Sequence, residues 1–114
     1  MHEARLSYAS APGRRPGTTV LKLDGPLTLT NLFVLQNDLR AMDSPVLIVD
    51  MSSVTYMDSA GLGLLMSGYV SAQNRQGKFL LAGVNDRVST LLHMTKVDTI
   101  LPIFPSVEAA EASL

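Results

Sequence analysis

Val46-Leu47-Ile48-Val49 is a continuous run of apolar residues that begins directly after Ser44-Pro45. A strand with only one buried face alternates apolar and polar residues, so an unbroken apolar strand is covered on both faces. Such strands lie in the middle of a parallel sheet that carries helices on both sides. The run therefore predicts an α/β fold with this segment at the centre of its sheet.

Other strands are predicted before and after this run. Alternating residues predict strands at Ala4–Tyr8 and Thr19–Leu23, and the Pro- and Gly-rich segment between them predicts a mobile hairpin loop at residues 9–17. Further strands are predicted at Lys78–Ala82 and Ile100–Phe104. Right-handed crossovers then give a mixed, mostly parallel sheet with an antiparallel N-terminal edge.

About four helices are expected to pack on this sheet, in a single domain that spans residues 1–114. The first is predicted from Asn31 onward, with Thr30 or Asn31 as its cap. Its apolar face consists of Leu32, Leu35, Leu39 and Met42. A third helix is predicted to begin at Asn85 or Asp86, and a fourth is capped by Ser106.

The second helix follows residue 59 and has one apolar face and one face of small residues. The apolar face consists of Leu62, Leu65, Met66, Tyr69 and Val70. Gly77 is predicted to end the helix in a left-handed conformation. Gly63, Ser67 and Ser71 lie beside the apolar face at four-residue intervals. Such small side chains either admit the backbone of a partner or pack against a neighbouring element of the same domain, and the sequence favours neither.

The composition argues against several classes of function. Nine basic and ten acidic residues give a net charge of −1, without the basic excess of a nucleic-acid-binding surface. The chain has no cysteine, and its two histidines, His2 and His93, are too few and too far apart for a metal site. No apolar run approaches the ~20 residues that span a bilayer. We expect a cytoplasmic protein without cofactor, metal, nucleic-acid partner or direct membrane insertion.

The segment Met57-Asp58-Ser59-Ala60-Gly61-Leu62-Gly63 places a serine hydroxyl at the predicted start of the second helix. The side chain of Asp58 can accept the unpaired N–H groups of the first turn, and Ser59 lies where the helix dipole favours negative charge. Taken alone, the pair is most often an ordinary helix cap. The same position also suits a phosphorylated serine.

Several segments together resemble the STAS domain, the family of bacterial anti-sigma factor antagonists and of regulatory domains of transporters. The first segment runs from Val46 through Asp58-Ser59-Ala60-Gly61-Leu62. The later ones are Leu80-Leu81-Ala82-Gly83-Val84, Arg87-Val88, Leu91-Leu92 and Thr95-Lys96-Val97-Asp98. The resemblance covers roughly residues 17–110, and it implies a STAS-like fold for this chain.

The resemblance also implies a partner-switching regulator that is not an enzyme. In the antagonist branch of the family, the unphosphorylated domain binds an anti-sigma factor that is also a serine kinase, which releases the sigma factor. Phosphorylation by that kinase ends the interaction, and a serine/threonine phosphatase restores it. By this analogy Ser59 accepts the phosphoryl group, Asp58 orients the site, and Gly61 with Gly63 leaves room for docking. The partner-binding residues implied are Thr28, Asp58, Ser59, Ala60, Gly61, Gly63 and Ser67.

Three positions depart from the family pattern. Thr28 stands where the family often has an aspartate near the partner-facing surface, and Lys96 stands where the closing turn usually has glycine. Ala60 replaces the second serine of the common Asp-Ser-Ser-Gly form, so Ser59 is the one serine available at that site.

Two other classes of function are compatible with the same residues. One is the soluble STAS subunit of a lipid or anion transporter, which docks on an ATPase without being phosphorylated. The other is a scaffold subunit of a larger stress-sensing assembly. An enzyme is not expected, because Ser59 lacks the Gly-x-Ser-x-Gly elbow and His93 is the only interior histidine that could act as its base. The sequence leaves the oligomeric state open.

Overall fold

In the computed structural model, residues 5–114 are described, and they contain one five-stranded mixed sheet. The strands follow one another across the sheet in chain order. They are β1 (Ser7–Pro12), β2 (Thr18–Asp24), β3 (Val46–Ser53), β4 (Lys78–Ala82) and β5 (Ile103–Phe104). β1 and β2 pair antiparallel, whereas the other neighbours pair parallel. The predicted α/β fold class with its antiparallel N-terminal edge is therefore confirmed.

Four α-helices lie on the two faces of the sheet within the described residues. They are α1 (Phe33–Ala41), α2 (Ser59–Asn74), α3 (Asp86–Met94) and α4 (Val107–Ala112). Successive side chains of a strand point to opposite faces. On β3, Leu47 and Val49 share one core with the buried residues of α1, α2 and α3, while Ile48 packs with Ala110 of α4 on the other side. The apolar run is thus buried on both faces, as predicted.

β1 extends further along the chain than the sequence predicts. Ala4, the first residue of the predicted strand, lies outside the described residues, and the strand continues to Pro12. Residues 9–12 were expected in the hairpin loop, but they pair in register with β2, and the ladder continues as the N–H of Gly13 donates to the Thr18 carbonyl at 2.8 Å. Backbone pairing here outweighs the low strand propensity of the Ala-Ser-Ala-Pro segment. The connection is therefore residues 13–17.

Three other local predictions are corrected by the structure. α2 ends with Gln76, not Gly77, in the left-handed region at φ 60°. Gly77 instead lets the chain after α2 lie close to the Pro45 backbone, because an added Cβ at Gly77 would lie 2.8 Å from the Pro45 carbonyl oxygen. Val70 lies off the buried face of α2 and is 51% exposed. β5 is shorter than predicted, because Ile100 and Leu101 donate their N–H groups to the Val97 carbonyl of the preceding 3-10 helix, Val97–Thr99.

Two of the predicted helix caps and one family position are explained by local geometry. The side chains of Asn85 and Ser106 accept N–H groups of α3 and α4 at 2.9 and 3.0 Å, which confirms both caps. Lys96 has φ 60°, in the left-handed region that favours glycine. This explains why glycine suits that position in the STAS pattern.

Candidate functional site

Asp58 is the N-cap of α2, and it joins two segments of the chain. Its Oδ1 accepts the N–H of Gly61 at 3.0 Å, and its Oδ2 accepts the N–H of Leu29 at 3.1 Å. A cap residue satisfies N–H groups that the first helical turn leaves unpaired. Here the same carboxylate also fixes the connection between β2 and α1 against the start of α2.

These hydrogen bonds favour the ionised form of Asp58. Burial of the carboxyl group acts to raise its pKa, but the N–H groups of Gly61, Leu29 and Ala60 outweigh it, so the pKa of Asp58 lies below its ordinary value of 3.8. A negative charge is therefore held next to Ser59 at neutral pH.

Ser59 is the first residue of α2 and is exposed. Residues four apart on a helix lie on the same face, and Gly63 and Ser67, which are also exposed, continue the line from Ser59. The N-terminus of a helix carries a partial positive charge. A hydroxyl group at the positive end of α2 thus begins a strip of small, exposed residues.

A groove of about 270 Å³ lies between this strip and α1. Its lining residues are Leu29, Leu32, Phe33, Gln36, Ala60, Gly63, Leu64 and Ser67. None of them is charged, and α2 has no charged residue along its length. The side chains of Leu29 and Phe33 are 57% and 61% exposed. We call Ser59 and the groove-lining residues together the Ser59 surface.

Gly61 and Gly63 have different surroundings, although both were expected to leave room for a partner. A Cβ added at Gly61 would lie 2.3 Å from the Leu27 carbonyl oxygen, so the space beside it is filled by the domain itself. A Cβ added at Gly63 would meet no atom within 4 Å. Of the two interpretations left open for Gly63, Ser67 and Ser71, an open surface applies to Gly63 and Ser67, while Ser71 is half-buried. Gly61, which was expected to leave room for docking, instead packs against its own domain.

Thr28 lies beneath the Ser59 surface, not on it. Thr28 is only 6% exposed. Its backbone N–H donates to Asn31 Oδ1 at 2.8 Å, and its hydroxyl oxygen lies 3.1 Å from that of Thr30. The expectation that Thr28 contacts a partner directly is corrected accordingly. The Asn31 side chain also donates to the Pro26 carbonyl. Neither predicted cap residue, Thr30 or Asn31, is the N-cap of α1. The N-cap is Leu32, which makes no side-chain hydrogen bond to the helix.

The sequence interpretation missed Leu29 and Phe33, the two most exposed apolar residues of the groove. A signal for Phe33 is present in the sequence. Leu32, Leu35 and Leu39 form the buried stripe of the first helix, and Phe33 falls beside that stripe, where a polar residue is usual. A large apolar side chain at such a position indicates a surface that a partner covers.

Other candidate residues have structural partners. Asp50 Oδ1 accepts the N–H of Ser52 at 3.0 Å, a local hydrogen bond within β3. The His93 side chain is 83% exposed, and its Nδ1 lies 3.1 Å from Asp98 Oδ2. Among residues 5–114, no three His, Cys, Asp or Glu side chains lie close enough to hold a metal ion. In the same range, no helix has the length and apolar character needed to cross a bilayer.

A comparison with protein families matches residues 11–110 to the STAS domain. The chain belongs to the STAS domain family. The match covers most of the chain, including the whole Ser59 surface.

Three similar proteins place this STAS domain among its relatives. An anti-sigma-B factor antagonist from Listeria monocytogenes is 38% identical over 58 residues, which are 51% of this chain and 51% of that protein. The match thus spans about half the length of this relative. An anti-sigma factor antagonist from Mycobacterium paratuberculosis has a similar structure with a TM-score of 0.84 and 20% identity, covering 98% of this chain and 97% of that one.

A sulfate transporter family protein from Wolinella succinogenes also has a similar structure, with a TM-score of 0.76 and 24% identity over 87% of this chain and 85% of that one. At these identities the structural likeness shows the STAS fold alone. Both regulators of sigma factors and transport proteins share that fold, so the function of this STAS domain has to be argued from its site.

Proposed function

We propose that this STAS domain is an anti-sigma factor antagonist, and that phosphorylation of Ser59 switches off its binding to an anti-sigma factor serine kinase. The observation that carries the proposal is the uncharged, exposed Ser59 surface, which begins at a serine on the N-terminus of α2. The name of the Listeria monocytogenes relative supports the same class of function.

The unphosphorylated surface suits burial against a partner. Its apolar area lies mainly on Leu29 and Phe33, and removing apolar area from water stabilises a complex by roughly 25 cal/mol per Å² before the costs of association. Gly63 and Ser67 lack large side chains, so the backbone of a partner can approach α2 closely. No charged side chain of α2 has to be desolvated when the partner docks.

The modification is a transfer of the γ-phosphoryl group of ATP, which is bound by the kinase, to the hydroxyl oxygen of Ser59. The new bond joins this oxygen to phosphorus, the bond to the β-phosphate oxygen breaks, ADP leaves, and the hydroxyl proton is released to solvent. A serine/threonine phosphatase reverses the modification by hydrolysis, which returns the free hydroxyl and releases inorganic phosphate. Asp58 keeps Ser59 in place by fixing the first turn of α2.

Phosphorylation adds about −1.5 to −2 charges and three acceptor oxygens at Ser59. The N–H groups and dipole at the start of α2 favour the phosphate, whereas the ionised Asp58 repels it, so these effects on the fold oppose each other. The interface has no such compensation. A partner that fits a neutral surface has to desolvate a dianion, and we expect binding to weaken by several kcal/mol.

The test is calorimetric titration of the purified domain with the anti-sigma factor kinase from the same organism. Ser59→Ala should bind as tightly as the unmodified chain, because it keeps the surface neutral. Ser59→Asp should bind at least tenfold more weakly, which is about 1.4 kcal/mol. Ser113→Asp, at the end of α4 on the opposite face of the sheet, is the matched control and should leave binding unchanged. Equal affinities of the two Ser59 variants would contradict the switch.

Phosphopeptide mass spectrometry on the protein from its own cells separates this function from the transporter-subunit function. Phosphate on Ser59 that changes between growth and stress is the expected result. A Ser59 that is unmodified in both states, in a protein that co-purifies with a membrane ATPase, would replace the proposed function with a transport role.

A further inference from the structure

β1 is an edge strand whose outer side pairs with no residue that the structure describes. Edge strands expose unpaired backbone N–H and C=O groups, and proteins commonly protect them with charged side chains, proline or bulges. Residues 7–11 of β1 are Ser-Tyr-Ala-Ser-Ala, without a charge, and the register with β2 is regular. Pro12, at the very end of the strand, is the one protective residue in β1.

The register of β1 with β2 identifies the backbone groups that point outward. In an antiparallel pair, alternate residues exchange hydrogen bonds with the partner strand. The N–H of Gly13 donates to Thr18 at 2.8 Å, so the odd-numbered residues of β1, among them Ala9, bond to β2. The N–H and C=O groups of Tyr8 and Ser10 therefore point away from the sheet. Water can bond to these groups, and another extended chain can replace that water with a regular ladder of backbone hydrogen bonds.

The side chains of β1 and the charge of the protein favour a second copy of this chain as that partner. Ser7, Ala9 and Ala11 present small, uncharged side chains on one face of the strand, so identical strands place no like charges opposite each other. The net charge of −1 produces little repulsion between two copies.

We propose that two copies of this chain pair antiparallel along β1, with Ala9 of one copy opposite Ala9 of the other. In this register Tyr8 and Ser10 bond reciprocally with Ser10 and Tyr8 of the second copy, and Ser7 lies opposite Ala11. A register centred on Tyr8 would pair Ser10 with Leu6, which is not part of the strand. A register centred on Ser10 would pair Tyr8 with Pro12, which has no N–H to donate. The dimer contains one continuous ten-stranded sheet.

The contact is a single strand pair, smaller than the roughly 1,200 Å² or more that stable interfaces bury. The dimer is therefore weak and forms in a concentration-dependent way. No residue of the Ser59 surface belongs to β1, so this inference stands independently of the proposed function.

Cysteine cross-linking tests the register directly, because the chain has no cysteine of its own. In the proposed pairing the two Ala9 residues form a non-hydrogen-bonded pair with Cα atoms about 4.5 Å apart, which a disulfide spans. Ala9→Cys should give a dimer on a non-reducing gel after mild oxidation. Ala11→Cys is the matched control, since Ala9 and Ala11 are both exposed on the same strand face. In the proposed pairing the two thiols introduced at position 11 lie four residues apart along the strand, about 13 Å, so this variant should not cross-link. Equal cross-linking of both variants, or of neither, would overturn the proposed pairing.

Sedimentation velocity over a range of concentrations tests the association itself. Ser10→Pro removes an outward N–H and keeps the pairing with β2, so it should be monomeric at concentrations where the unmodified chain and the control Ser10→Ala both dimerise. Circular dichroism of the three proteins should agree, which shows that Ser10→Pro is folded. An unmodified chain that stays monomeric at every concentration, or a Ser10→Pro variant that still dimerises, would contradict the proposal.

Discussion

Gly61 and Gly63 lie two residues apart on α2, but they lie on different sides of the helix. The inner side, with Gly61, packs against the domain, whereas the outer side, with Gly63, is open. On the inner side, a Cβ at Gly61 would meet the Leu27 carbonyl oxygen at 2.3 Å, and a Cβ at Gly68 would meet the Phe79 ring at 2.7 Å. These glycines let the helix lie close to its own domain. On the outer side, Gly63 faces open space above the groove.

The difference shows that a stripe of small residues does not by itself indicate a docking surface. The segments opposite the helix decide its role, and those segments come from distant parts of the chain. The inner glycines contribute to folding, whereas the proposed function assigns the outer residues to binding. Substitutions on the two sides should therefore change different measured quantities.

The largest expected effect is on the inner side. Gly61→Ala forces a methyl group against the backbone at Leu27, which cannot rotate away as a side chain can, so we expect a loss of about 3 kcal/mol in the free energy of unfolding. Urea denaturation followed by circular dichroism measures this loss.

Gly63→Ala is the matched control, with the same chemical change two residues further along the helix. It should raise the stability by up to about 1 kcal/mol, because alanine is the better helix former and the position is open. The same Gly→Ala substitution is thus expected to lower the free energy of unfolding at position 61 and to raise it at position 63. If both variants lose similar stability, the two sides of α2 do not differ as described.

The second effect concerns binding on the outer side. Phe33→Ala should weaken binding to the anti-sigma factor kinase by about 2 kcal/mol, because exposed aromatic residues often dominate such interfaces. The free energy of unfolding should change little, since Phe33 is 61% exposed. Calorimetric titration and urea denaturation on the same sample measure both quantities.

Val70→Ala is the control for Phe33→Ala. Val70 is also an exposed apolar residue, at 51%, but it does not line the groove. It should leave the affinity unchanged. A similar loss of affinity for both variants would show that the groove is not the surface on which the partner docks.

The smallest effect concerns Asp58, which joins the start of α2 to the connection between β2 and α1. Asp58→Ala removes the cap of α2 and should cost about 1 kcal/mol at neutral pH. The pKa of Asp58 is lower in the folded protein than its ordinary value of 3.8, so its ionised form stabilises the fold above that value. This stabilisation is lost as the pH falls through the lower, folded-state pKa.

The stability difference between the unmodified chain and Asp58→Ala should accordingly stay nearly constant from about pH 7 to about pH 5 and shrink as the pH is lowered further, through 3.8 and below. Asp58→Asn serves as the control, because an asparagine side chain also caps a helix and has no carboxyl group to titrate. A difference for Asp58→Ala that stays constant with pH would show that the charge of Asp58 does not stabilise the fold.

Much of the fold follows from local sequence patterns. The run at residues 46–49 is buried on both faces because its apolar pattern leaves no polar side to expose, and Asp58 caps α2 because its short carboxylate reaches the first turn. The prediction of β1 was incomplete for a different reason. Its residues 9–12 have low strand propensity, and they form a strand because β2 offers a regular row of backbone partners.

The site was predictable only where it depends on neighbouring residues of the chain. Asp58 and Ser59 are recognised from one short segment, whereas the burial of Thr28 and the packing of Gly61 depend on how the β2–α1 connection folds over α2. Phe33 is a functional candidate because no described element covers it, and this is a property of the tertiary structure. A sequence pattern carries no direct information on such long-range contacts.

The most direct test of the switch compares the domain that carries stoichiometric phosphate on Ser59 with the unphosphorylated domain, both titrated into the anti-sigma factor kinase. The proposed switch requires that phosphate on Ser59 weaken binding by several kcal/mol while the free energy of unfolding stays nearly the same. Equal affinity of the two forms, or tighter binding by the phosphorylated form, would contradict it.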